Sequence, residues 1–98
     1  MANKIAGLAH GRPGTTQKVA YTGTAGTIST AVGSQTRIVR LVVTSNAYVA
    51  FGASPTATTS DMYMPANVPE YFTMSPGDKV SAIQDAAGGN LIVTEITY

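Results

Sequence analysis

The chain has 98 residues, with six Lys or Arg, five Asp or Glu, a formal net charge of +1 and no cysteine. That length fits one domain, and the lack of cysteine excludes disulfides and thiolate metal sites. Charged residues make up 11%, about half the usual share; so weak a charge gives no basis for nucleic-acid binding and suits a surface that faces other protein.

Residues 1–15 read as an extended N-terminal arm. Gly7, Gly11, Pro13 and Gly14 oppose a helix, and no alternation is long enough for a good strand. Residues 16–98 read as a single β domain. From Thr16 the period is two, with Val19 and Tyr21 alternating with polar neighbours. Gly23 to Gly26 predicts a turn, Thr27 to Ala31 a short strand carrying Ile28, and Gly33-Ser34 a second turn.

Gln35 to Thr44 is the strongest strand pattern, QTRIVRLVVT. Val39, Leu41 and Val43 share one face; Ile38, Arg40 and Val42 share the other. A strand apolar on both sides except for one Arg is expected to be central, with both faces at least partly covered. Ser45-Asn46 then predicts a two-residue hairpin, with Ala47 to Phe51 returning antiparallel.

Gly52 to Ser60 reads as a loop with no core-facing pattern, and Met62-Tyr63-Met64 as a short edge segment. Pro65 and Pro69 bracket a further turn, since proline is confined to edges and loops. Glu70 to Met74 predicts a strand, followed by a type II turn at Ser75-Pro76-Gly77-Asp78 in which Gly supplies the positive φ. Lys79 to Gln84 is the next strand, with Val80 and Ala82 on one face. Asp85 to Asn90 reads as a flexible hairpin turn, and Leu91 to Thr97 alternates Leu91, Val93 and Glu95 against Ile92, Thr94 and Ile96. Seven to eight short antiparallel strands with frequent turns give an all-β fold, a small β-sandwich or jelly-roll-like barrel.

Lys4, Arg12, Lys18, Arg37 and Arg40 lie in the first forty residues, and all five acids lie after residue 60. This asymmetry predicts a basic arm that meets an acidic surface on a neighbouring copy or a partner. No apolar run approaches the roughly 20 residues a membrane helix needs. The stretch MANKIAGLAHGRPGTTQK has no continuous apolar core of the signal-peptide kind. No membrane partner and a cytoplasmic site of synthesis are therefore expected.

The residue inventory points away from catalysis. His10, the sole histidine, sits in the arm without partners nearby in sequence. No Gly-x-Ser-x-Gly elbow, acidic metal loop or phosphate-binding glycine motif occurs, and the five acids leave few candidate pairs for glycoside hydrolysis. Neither cofactor nor metal is expected. Tyr48, Phe51, Tyr63, Tyr71 and Phe72 fall mostly in strand patterns, so packing explains them better than base stacking.

The segment from Thr36 to Thr97 resembles small virion proteins of tailed bacteriophages. The resemblance rests on RIVRLVVTSNAYVAFG (37–52), SPTAT (54–58), MYMPANVPEYF (62–72), SPGDKVSAI (75–83) and GGNLIVTEIT (88–97). It implies a β-rich capsid cement, or decoration, protein that stabilises the head from its outer surface after assembly in the host cytoplasm. The implied partners are the major capsid protein and further copies of the chain, with a homotrimer favoured over a dimer. The resemblance carries no catalytic motif. The N-terminal arm lies outside the resemblance, and on composition alone Lys4, His10, Arg12 and Lys18 are the candidate partner contacts. The alternative is a head-fibre, tail or adaptor component that binds a receptor or carbohydrate through the exposed 52–69 loop. Pro55, Asp61, Tyr63 and Pro65 are its candidate residues, with Tyr63 as a stacking platform.

Overall fold

The computed structural model describes residues 12–34 and 38–97. Among them are eight strands and no helix: β1 (Arg12–Tyr21), β2 (Gly26–Thr27), β3 (Ile38–Val43), β4 (Ala47–Gly52), β5 (Met62–Met64), β6 (Glu70–Thr73), β7 (Lys79–Gln84) and β8 (Gly89–Thr97). They form two four-stranded sheets, ordered β1-β8-β3-β6 and β2-β7-β4-β5, with every neighbouring pair antiparallel. The all-β expectation holds, and the strand order is that of a jelly roll. Pairs β1·β8, β2·β7, β3·β6 and β4·β5 are the rungs of one long hairpin, rolled so that its two halves alternate between sheets.

The core lies between the sheets. Val39, Leu41 and Val43 of β3 and Leu91 and Val93 of β8 face Ala47 and Val49 of β4 and Val80 and Ala82 of β7, all essentially solvent-free. Period-two patterning puts these side chains on one side of each strand. A fully buried Val or Leu contributes about 1.5–3 kcal/mol, so this double layer is the main source of stability in a chain without disulfides. Tyr21, Ile28, Met64 and Met74 close its margins, with Phe51 and Phe72 packed against it, ring centroids 5.3 Å apart. Toward one end the inner row turns polar. Glu95 stays buried there, its Oε1 accepting the Gly33 N–H at 3.1 Å. The Gln17 amide imitates a strand, donating to the Thr30 carbonyl at 2.8 Å and accepting the Thr30 N–H at 3.1 Å.

Several local expectations are corrected. Ser45-Asn46 does not close a hairpin: β3 lies in one sheet and β4 in the other. Val43 and Ala47 both point into the core, which a corner between facing sheets allows. The corner's polar groups find other partners: Thr44 N–H donates to the Asn90 carbonyl at 3.0 Å, and Asp85 N–H to the Asn46 carbonyl at 3.0 Å. Asp85–Asn90 is likewise not a hairpin turn but a crossing from β7 to β8, which starts at Gly89. Only β4 and β5 are both consecutive and paired.

The expected strand over Thr27–Ala31 shrinks to Gly26–Thr27, after which the backbone continues beside β7 through Ile28 N–H to the Val80 carbonyl and Val32 N–H to the Asp78 carbonyl. Gly26 is therefore strand, not turn, and must be glycine: a Cβ there would overlap the Ala20 carbonyl oxygen. β1 begins at Arg12, with a register shift between Pro13 and Thr16, so residues 12–15 of the expected arm belong to a strand. Residues 1–11 and 35–37 lie outside the described residues. The loop after β4 has no residue in the core between the sheets, yet Ala57 is buried.

Other expectations match. β5 is an edge strand, as expected, and β6 edges the other sheet. The 75–78 turn is closed by Asp78 N–H to the Ser75 carbonyl at 3.1 Å, and Gly77 has φ 91°, the sign a type II turn requires. β3 is central, between β8 and β6. Its second face, however, has no further layer of strand or helix over it among the described residues.

Candidate functional site

The outer sides of the two sheets carry what these residues offer a partner. On the first sheet, registers set Lys18, Ile92 and Val42 in one cross-strand row, Thr16, Thr94, Arg40 and Tyr71 in the next, and Ile96, Ile38 and Thr73 in a third. Ile38, Arg40, Val42, Ile92 and Ile96 are all part-exposed, and Tyr71 is 51% exposed. A solvated antiparallel face ordinarily reads polar. Thr16, Thr73 and Thr94 meet that rule, and threonine satisfies the β-branched preference of a strand as well as isoleucine does. The Ile and Val positions therefore mark an apolar patch, not a propensity effect. Its charges are all positive, Lys18 and Arg40. The acids of these strands, Glu70 and Glu95, alternate to the inner side, Glu70 opposite Leu41 and Glu95 opposite Val39.

The second sheet's outer side is divided. One half is covered by the loop between β4 and β5. Ser81, fully buried, accepts the Ala57 N–H at 2.9 Å and shares a 3.1 Å hydrogen bond with the Thr27 hydroxyl, which also donates to the Pro55 carbonyl at 3.3 Å. The other half carries Tyr63, Tyr48 and Ile83 in one cross-strand row. The tyrosines meet edge to face at 5.5 Å, and Tyr63 is 45% exposed. The Tyr48 hydroxyl donates to Asp85 Oδ1 at 3.2 Å. That bond raises the Tyr48 phenol above its usual range, followed by burial and by the charges of Asp85 and Tyr63.

The candidate contacts divide accordingly. Lys4 and His10 lie outside the described residues. Arg12 is exposed at the start of β1, and Lys18 is exposed on the first sheet's outer side. Of the loop set, Pro55 and Asp61 serve the loop itself: Asp61 Oδ2 accepts the Thr58 N–H at 2.7 Å and its hydroxyl at 3.2 Å. Tyr63 and Pro65 are exposed. The structure thus brings Tyr63 to Tyr48, which bonds Asp85, and puts Lys18 and Arg40 on one outer side, but does not gather either set whole. Neither Tyr48 nor Asp85 is singled out by the sequence as a site residue, because their meeting depends on the β4·β7 pairing. Among the described residues, no three His, Cys, Asp or Glu side chains gather as a metal site.

No family model, no curated protein and no solved structure matches this chain.

Proposed function

We propose that this chain is a non-catalytic structural protein that acts by binding other protein surfaces, and specifically a capsid cement protein of a tailed bacteriophage. In that role it seats on the outside of the head, bridges major capsid protein subunits and associates with its own copies. The observation that carries the reading is the apolar, part-exposed outer side of the first sheet, built from Ile38, Val42, Ile92 and Ile96. Burying such a patch against a partner supplies association energy that a small cysteine-free domain otherwise lacks. The low charge of the chain and its likeness to small phage virion proteins favour the same reading. Jelly rolls serve in capsid and lectin domains alike, so the fold is compatible with this role without selecting it.

The test is occupancy on intact particles, with the protein located by electron cryomicroscopy. Ile92→Lys is expected to reduce occupancy at least tenfold while the isolated domain keeps its β circular dichroism. Deletion of residues 1–11 tests the arm without cutting into β1; the wider deletion of 1–15 would remove residues that pair with β8. Unchanged occupancy for both variants would refute the reading.

The pair of tyrosines beside Asp85 favours a second reading, a tail, fibre or adaptor component that binds carbohydrate. Aromatic rings supply a stacking surface, and a carboxylate accepts sugar hydroxyls. Glycan-array binding that disappears in Tyr63→Ala is its expected signature.

A further inference from the structure

We propose that copies of this chain associate face to back, the outer side of the first sheet of one copy seating on the exposed half of the second sheet's outer side in the next. The proposal rests on the chain being a protein-binding structural module, and it names one partner and both contact surfaces.

Charge complementarity is the argument. The first surface is apolar with Arg40 near its centre and Lys18 at its margin, and the neighbouring acids turn inward. Two such surfaces meeting across a twofold axis would bring cations together with no carboxylate between them, an arrangement that interfaces avoid. The second surface supplies what the first lacks: two tyrosines, Ile83 and, just past the end of β7, the Asp85 carboxylate that accepts the Tyr48 hydroxyl. Lys79, the one cation on that side among the described residues, pairs opposite Gly52 at the far end of β7. It is separated from Ile83 by four residues, roughly 13 Å of strand. Arg40 can engage either Asp85 or a tyrosine face, and Arg with Tyr is the pairing that interface cores favour. The two surfaces differ, so the contact is heterologous: it does not end at two copies but continues into a closed ring or an open stack.

Charge reversal is the test, read by sedimentation velocity of the full chain over a range of concentrations, with circular dichroism to check folding. The wild-type protein is expected to form species larger than a dimer. Arg40→Glu and Asp85→Arg are each expected to weaken association by about tenfold or more, and the double variant to recover most of the loss. A protein that stays monomeric, a twofold dimer as the end state, or a double variant no better than the singles would overturn the proposal.

Should a charge variant fail to fold, the absence of cysteine in the chain permits a second measurement. Ile92→Cys mixed with Tyr63→Cys is expected to give a disulfide between unlike copies in preference to an Ile92→Cys pair with itself; the reverse preference sinks the idea. Capsid occupancy separates the two levels. Binding to particles without self-association removes this inference and leaves the cement role standing. Self-association by a chain absent from particles does the opposite.

Discussion

Tyr21 ties β1 to the corner at Ser45, two segments distant in sequence. Its ring closes the core below the corner, and its hydroxyl donates to the Ser45 carbonyl while accepting the Ser45 N–H at 3.2 Å. Tyr21→Phe keeps the ring and leaves those backbone groups short of a partner. The expected cost is about 1–3 kcal/mol, read as a lower urea midpoint with an unchanged slope; an unaltered midpoint would show that water replaces the hydroxyl without loss. Burial raises the Tyr21 phenol above its ordinary value against a smaller lowering by the Ser45 backbone, and the Asp85 hydrogen bond leads the upward shift of Tyr48. Both folded values exceed the unfolded ones, so the folded state holds these protons more tightly. Their stabilisation is complete below about pH 10 and is lost as pH rises through the folded values. Ultraviolet titration should show Tyr21 and Tyr48 ionising late, and Asp85→Asn should return Tyr48 toward the ordinary range. If Asp85→Asn leaves the titration curve where it was, the assigned cause is wrong.

The loop between β4 and β5 shows why a polar stretch can be structural. Nothing in GASPTATTS has a core-facing period, yet Ala57 is buried and its N–H has Ser81 as acceptor at 2.9 Å. Ser81 alternates away from Val80 and Ala82, and the loop covers the face it occupies. Ser81→Ala is expected to destabilise by about 1–3 kcal/mol through the unsatisfied buried N–H, and to speed hydrogen exchange at the Ala57 amide while core amides of β3 keep their protection relative to global unfolding. Equal loss of protection everywhere at fixed global stability would contradict this local role. Pro55 and Asp61 also serve the loop's own structure, the Pro55 carbonyl accepting from Thr27 and Asp61 Oδ2 from Thr58.

Across the whole molecule, pairing is almost entirely non-local: β1 with β8, β2 with β7 and β3 with β6. Loop-closure entropy must be met before these pairs reward it, so folding is expected in the millisecond-to-second range typical of β-sandwiches. Stopped-flow fluorescence of the tyrosines checks this, and microsecond folding would be incompatible with the topology. The roll also sorts the charges. Strands contributed by both halves of the chain mix in each sheet, so the basic first half and acidic second half do not become a basic end and an acidic end. Lys18 and Arg40 share one outer side because β1 and β3 flank β8, and Asp85 sits with Tyr48 because β4 flanks β7.

Period-two alternation was enough to locate β3, β4, β6, β7 and most of β8, and to sort the two faces of β3 and β8, because burial on one side of a strand leaves its mark on every second position; which face turns inward was not fixed by it. The turn residues were equally readable: Pro76-Gly77 forms the turn its φ preference demands, and the prolines around β5 hold it at an edge. Partnership was not readable. A short polar break such as Ser45-Asn46 serves a hairpin or a corner between facing sheets equally well, since both reverse the chain after a few residues. The choice is made by which distant strands complete the core, an energy spread over many side chains and written in no single segment. The candidate surfaces follow from that choice, for each is assembled from strands that only the rolled pairing makes neighbours.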